Sequence, residues 1–212
     1  MGIFKKNVVF SEAEYLIWKI EEEVEDLKIG LKLSKADQAK LSEIHHEIKI
    51  KEFLAIRQLL KIYFGENKAI RYTPNGKPFL VDSNIPISFS HCKGFAAILI
   101  GKNSKIGIDI ETDRENILRI APKFMNSLEN QSLSEDNRMQ HLLFYWGAKE
   151  VVVKIEDDKT FSFKNSISVS PFSYSNKCHS QAQLISDKKR GEYDLNFENL
   201  TELLLTCGIK KG

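Results

Sequence analysis

Ile106-Gly107-Ile108-Asp109-Ile110-Glu111 is the stretch on which the fold turns. Side chains alternate along a strand, so Ile106, Ile108 and Ile110 fall on one face and Asp109 and Glu111 on the other. The alternating isoleucines predict a strand with one buried face. Two carboxylates at i and i+2 repel each other unless a cation lies between them, and Gly107 leaves room beside Asp109 on their face. Taken alone, the stretch also fits a half-buried strand with a solvated polar face.

Short extended runs lead into it. Residues 69–73 and 79–81 flank Pro74-Asn-Gly-Lys-Pro78, a strong turn signal, and runs at 85–91, 95–100 and 105–111 follow. Downstream, 116–128 and 136–155 read as helices, and 166–170, 181–186, 192–197 and 203–207 return to strands. Upstream, Ile17, Ile20, Val24 and Leu27 recur at helical spacing behind Ser11, which predicts an amphipathic helix over 12–27. Ser34 is placed to cap a second helical region that runs to Gly65. That span is long for one helix, so a break is expected at His45-His46, with Phe53, Ile56, Leu60 and Phe64 striping the second piece. Helices, strands, helices, strands is the order of an α+β fold in two similar halves, 1–106 and 107–212, meeting near residue 107.

The 212 residues carry 42% hydrophobic and 28% charged side chains, ordinary globular values that exclude a disordered or fibrous chain. The longest stretch free of Asp, Glu, Lys and Arg is 165–176, too short for the ~20 residues of a membrane span. The first fifteen residues hold no apolar run of the secretory kind, and Cys92, Cys178 and Cys207 are scattered and odd in number. Neither a zinc site nor a disulfide framework fits them, so a reduced, cytoplasmic protein is expected. Net charge is +2 but uneven: 1–106 has 17 basic and 13 acidic residues, 107–212 has 14 and 16. Nucleic-acid binding would call for clustered basic residues and a higher overall charge.

Three further segments carry candidate chemistry. In Trp146-Gly-Ala-Lys-Glu150-Val-Val-Val-Lys154, Trp146, Glu150 and Lys154 are successive i,i+4 neighbours on a helix. Glu150 and Lys154 could be an ordinary surface pair. The consecutive valines, mediocre helix formers, point instead to tight packing around the stripe. A third carboxylate beside Asp109 and Glu111 would make a hard-oxygen site suited to Mg²⁺. Gly76-Lys77-Pro78 and Ile87-Ser-Phe-Ser90-His91-Cys92 offer phosphate donors in Lys77, Ser90 and His91. Arg57 sits in the apolar run Glu52-Phe-Leu-Ala-Ile-Arg57. His45, His46, His141 and His179 show no metal spacing and read as structural or surface groups; Phe89, Phe124, Phe144 and Tyr145 read as core.

The order and spacing of these segments resemble the Sfp-type 4′-phosphopantetheinyl transferases over about Leu41 to Pro171. The match includes the Glu52 to Arg57 run, Gly76-Lys-Pro78, Ile87 to His91, Gly107 to Glu111, Ile120-Ala-Pro-Lys-Phe124 with Glu129, and Trp146 to Lys154. The resemblance implies a pseudo-dimer of two α+β halves, each a small antiparallel sheet packed with helices. It implies transfer of 4′-phosphopantetheine from coenzyme A to a serine of an apo acyl or peptidyl carrier protein, releasing 3′,5′-ADP. Asp109, Glu111 and Glu150 would hold Mg²⁺, with Asp109, Glu150 and Lys154 catalytic. Arg57, Lys77, Ser90, His91 and Lys154 would bind coenzyme A, the 3′-phosphate lying on the N-terminal half. A monomer is expected if two halves make one site, with neither nucleic acid nor membrane as partner. The chain departs from the family at Glu156-Asp157-Asp158, where a glycine-containing loop is frequent. The alternative that this acidic run motivates is a non-catalytic relative that binds coenzyme A or a carrier protein.

Overall fold

The computed structural model describes residues 2–112 and 115–212. It divides into two compact units, Met1–Asn103 and Ser104–Gly212, the division falling in the turn before residue 107. Each unit is an antiparallel sheet packed with helices, so the architecture is α+β.

The first unit contains β1 (Ile3–Val9), β2 (Ala13–Lys19), α1 (Val24–Lys28), α2 (Lys35–Ser42), α3 (Glu47–Phe64), β3 (Ile70–Tyr72), β4 (Pro78–Leu80), β5 (Ile87–Cys92) and β6 (Phe95–Gly101). Its main sheet has the order β1-β2-β6-β5, with β3 and β4 forming a separate hairpin. The helix expected over 12–27 is instead the strand β2, a turn and the short α1. The cause is burial. β2 lies between β1 and β6, and Tyr15, Leu16, Ile17 and Trp18 are all buried, so the polar alternation that marks a half-exposed strand is missing. Ser11 does not cap a helix; with Phe10 it takes positive φ, 59° and 56°, in the turn joining β1 to β2. The break at His45-His46 is present between α2 and α3, Ser34 caps α2 by accepting from the Asp37 amide, and Gly65 ends α3 at φ 74°. Leu54, Leu59, Leu60 and Phe53 of α3 join Leu16 of β2 and Ala96, Ile98 and Ile100 of β6 in the core.

The second unit contains β7 (Ile106–Glu111), α4 (Asn116–Phe124), α5 (Ser127–Gln131), α6 (Arg138–Glu156), β8 (Ile167–Val169), β9 (Lys177–Ile185), β10 (Arg190–Asn199) and β11 (Leu204–Lys210). The sheet order is β7-β11-β10-β9-β8, antiparallel throughout, and α6 lies across β7 and β11. The helix expected over 116–128 is two, α4 and α5. They are separated because Asn126 starts α5 with a capping box to Glu129. Phe124, Phe144 and Tyr145 are buried as expected, and Phe89 is partly buried in the first unit.

Glycines set how near α6 comes to the sheet. A Cβ on Gly107 would stand 2.8 Å from the Val151 carbonyl oxygen, and one on Gly147 would stand 2.6 Å from Thr206 Oγ1. The space beside Asp109 that Gly107 was expected to leave is therefore filled by the helix itself. Backbone approaches backbone closely enough for residues on α6 to touch the carboxylate face of β7.

Candidate functional site

Asp109 and Lys154 are brought together in the second unit. Lys154 Nζ donates to Asp109 Oδ1 at 2.8 Å and to the Ile108 carbonyl at 2.8 Å, joining the last turns of α6 to the middle of β7. Asp109 is buried, and its Oδ2 would lie 3.4 Å from a Cβ on Gly147. Glu111 follows on the same pleated face of β7, and Glu150 stands one helical turn before Lys154; both are half-buried. Asp109, Glu111, Glu150 and Lys154 thus occupy one strand and the helix lying over it. Among the described residues, no three or more His, Cys, Asp or Glu side chains are already gathered to hold a metal ion. A polar recess of about 500 Å³ opens at the end of β7, lined by Thr112, Gln140, Asn176, Asn199 and residues 201–204.

The helix that carries Glu150 and Lys154 is held in rotation by Lys149, a residue whose role the sequence did not reveal. Its ammonium is fully buried and donates to Glu129 Oε2 (2.9 Å) and to the carbonyls of Phe124 (2.8 Å), Phe163 (2.7 Å) and Ile167 (2.9 Å). Burial lowers the Lys149 ammonium from its usual range, opposed by the Glu129 charge. Glu129 is equally buried; its carboxylate also accepts from the amides of Asn126 and Val169. The pair ties α6 to α4, α5 and β8 at one point.

The acidic run after Lys154 is accounted for within the same unit. Glu156, with 1% of its side chain exposed, accepts from Tyr193 and pairs with Lys189 and Lys210 at 3.0 and 2.9 Å. Burial pushes its carboxyl up, but these partners outweigh that and hold it down at about 2. Asp157 ends α6 in the left-handed region at φ 54°, the conformation for which glycine is favoured. Asp158 accepts from the amide and hydroxyl of Thr160. The Glu156 charge is thereby balanced by Lys189, just before β10, and Lys210, at the end of β11.

Arg57, Lys77, Ser90 and His91 all lie in the first unit. Ser90 is buried on β5, and His91, next along that strand, has 48% of its side chain exposed. Its Nδ1 is 3.1 Å from Oε2 of Glu52, a residue of α3 with a 3% exposed side chain that also pairs with Lys49 at 2.8 Å. Lys77 follows the turn before β4, its amide donating to Thr73 Oγ1. Arg57 is 6% exposed. Its Nε and Nη2 both donate to Asp37, its Nη2 also to the Tyr72 hydroxyl, and its guanidinium lies over the Phe53 ring. These contacts make Arg57 a brace between α2 and α3.

Of the histidines set aside in the sequence, His45, His46 and His179 are exposed. His141 is fully buried; its Nδ1 accepts from the Ser134 amide and its ring packs with Tyr145 and Phe172. Burial holds it at about 4.

The second unit is thus an α+β layer that sets a strand of carboxylates against a lysine-bearing helix. Residues 105–200 match the family model of the 4′-phosphopantetheinyl transferase superfamily. The match takes in β7, the whole of α6 and the sheet as far as the end of β10. No curated protein matches the chain. No helix among the described residues is long and apolar enough to cross a membrane.

Proposed function

We propose that the protein is an Sfp-type transferase that moves 4′-phosphopantetheine from coenzyme A to a serine of an apo acyl or peptidyl carrier protein in the cytoplasm, as a monomer. The observation that carries this reading is the Lys154–Asp109 contact at 2.8 Å, made between two segments that both lie within the superfamily match. Asp109, Glu111 and Glu150 are the proposed ligands of Mg²⁺. Three carboxylates without a soft ligand fit a hard cation by their chemistry. When bound, the ion would neutralise the diphosphate oxygens and steady the leaving phosphate.

The chain's own residues do the rest. Lys154 contacts a diphosphate oxygen. Glu150 accepts the proton from the serine hydroxyl, whose oxygen attacks the phosphorus that bears the pantetheine arm. The P–O bond to the nucleotide breaks and 3′,5′-ADP leaves. Positioning and electrostatics supply most of the acceleration in such a transfer. Arg57, Lys77, Ser90 and His91 are the proposed donors to the 3′-phosphate.

The test is incubation with coenzyme A, Mg²⁺ and a panel of apo carrier proteins, read by intact mass. A gain of one phosphopantetheinyl group on a carrier is expected. No gain on any carrier that a control transferase loads would overturn the proposal.

A further inference from the structure

We propose that the polar recess of about 500 Å³ at the end of β7 receives the pantetheine arm of coenzyme A, with Asn176 and Thr201 contacting its amide and hydroxyl groups. The proposal rests on the transferase reading and assigns the transferred group a place within the second unit.

The register of the sheet joins the recess to the proposed metal ligands. Glu111 pairs across to Leu204, which lines the recess, and so does Thr112, the residue after Glu111. A diphosphate held at Asp109 and Glu111 therefore has the recess at the end of the same strand. Its volume falls within the ~300–1,000 Å³ of small-molecule sites.

The lining suits the arm group by group. The arm carries two amides, a hydroxyl and a carbon bearing two methyls. The side-chain amides of Gln140 and Asn176 each offer an acceptor oxygen and an NH₂ donor, which is what an amide partner requires. The hydroxyls of Thr112 and Thr201 can donate to or accept from the arm's own hydroxyl. Leu203 and Leu204, 2% and 4% exposed, give an apolar wall for the methyls. Glu202 also lines the recess, and a carboxylate there disfavours a phosphate.

The walls are fixed by the chain itself. Asn199 Nδ2 donates to the Tyr174 hydroxyl at 2.8 Å, and its Oδ1 accepts from the Thr201 amide at 2.9 Å. Its backbone amide donates to the Asn176 carbonyl at 2.8 Å, so the turn from β10 to β11 is tied to the segment before β9. Thr201 is held in that turn at φ 72°, a left-handed conformation that a β-branched side chain rarely adopts. Glycine would close the same turn without strain. Threonine instead keeps a hydroxyl and a methyl in the lining at some loss of stability. Strain of this kind gathers at ligand sites, where the surrounding structure holds it in place.

The experiment uses the full chain and two probes. Pantetheine has the arm and no phosphate; 3′,5′-ADP has the phosphates and no arm. Binding is followed in ¹H–¹⁵N spectra that include the side-chain amides. In the parent, pantetheine at millimolar concentration should shift the Asn176 and Gln140 side-chain amides far more than 3′,5′-ADP does. Asn176→Leu should weaken pantetheine about fivefold, the loss of one hydrogen-bond partner, with 3′,5′-ADP changed less than twofold. Thr201→Gly should weaken pantetheine several-fold while raising the melting midpoint by about 2–4 °C as the strain is released. A turn with a structural role alone would gain that stability and lose no affinity. Both residues are exposed, so both variants should fold.

A recess that stays silent to pantetheine, or parental pantetheine affinity in either variant, would overturn the proposal. So would recess shifts caused by an apo carrier protein and not by pantetheine. None of these readouts needs turnover, so the two readings fail separately. Pantetheine in the recess with no carrier ever loaded would overturn the transferase reading and leave the recess assignment standing. Carrier loading with a silent recess would do the reverse.

Discussion

Replacing Lys149 by methionine should cost the second unit about 3–5 kcal/mol. The ammonium makes four contacts of 2.7–2.9 Å to Glu129 and to the carbonyls of Phe124, Phe163 and Ile167, and both charged side chains are fully buried. Methionine fills the stem's volume, so little cavity forms. What is lost is the counter-charge of Glu129, which keeps only two amide donors, and a donor for each of three carbonyls. Breaking one side of a buried pair costs about 3–5 kcal/mol, a large share of the 5–15 kcal/mol that holds a domain together. At about 2–4 °C per kcal/mol in a chain of this length, the midpoint should fall by about 10 °C. Urea unfolding followed by the fluorescence of Trp146, which packs on Phe124 and Phe163 beside this pair, reports it directly. Lys149→Met/Glu129→Leu should recover most of the loss, because removing both charges leaves no orphan. A single variant within about 1 kcal/mol of the parent would refute the claim that this pair is buried and charged.

Three other outcomes are expected. Acid should destabilise the second unit in two overlapping steps. His141, at about 4 in the folded chain against 6.5 when free, is held neutral, so stability falls as pH drops from 6.5 toward 4. Glu156, at about 2 against 4.5, contributes stability that is present above pH 4.5 and lost as pH falls through 2. Each amounts to about 3 kcal/mol, so His141→Phe should flatten the upper step of a denaturation series and Glu156→Gln the lower. Asp157→Gly should stabilise by about 0.5–1 kcal/mol in thermal melts, since the residue holds φ 54° at the end of α6. Arg57→Ala should destabilise the first unit by about 3–5 kcal/mol, leaving Asp37 buried without its cationic partner; a denaturation midpoint unchanged from the parent would refute the claim that this pair is buried and charged.

The sequence made local signals legible and long-range ones invisible. The strand β7, the helix α6, the turn before β4 and the break at His45-His46 all followed from periodicity and breakers, because the residues that decide them are neighbours in the chain. β2 was misread because a strand buried on both faces shows a continuous apolar run, and Ile17 to Leu27 happened to fall at helical spacing. The Lys154–Asp109 contact joins two segments that chemistry and pattern together singled out in the sequence. Lys149 was hidden inside a recognisable motif because its partner Glu129 is 20 residues away and its other three acceptors are backbone carbonyls. Asp37, which pairs with Arg57, and Glu52, beside His91, gave no signal of their own. Nor could the acidic run after Lys154 be weighed before Lys189 and Lys210 were found beside Glu156.

Turnover by Asp109→Asn, measured beside the parent on a carrier the parent loads, is the sharpest trial of the account. The amide keeps the volume and an acceptor for Lys154 but removes the charge facing the helix. With circular dichroism unchanged and Mg²⁺ saturating, loading should fall by at least a hundredfold. A variant that loads the carrier at the parental rate would show that the β7 carboxylates are not where the diphosphate is handled.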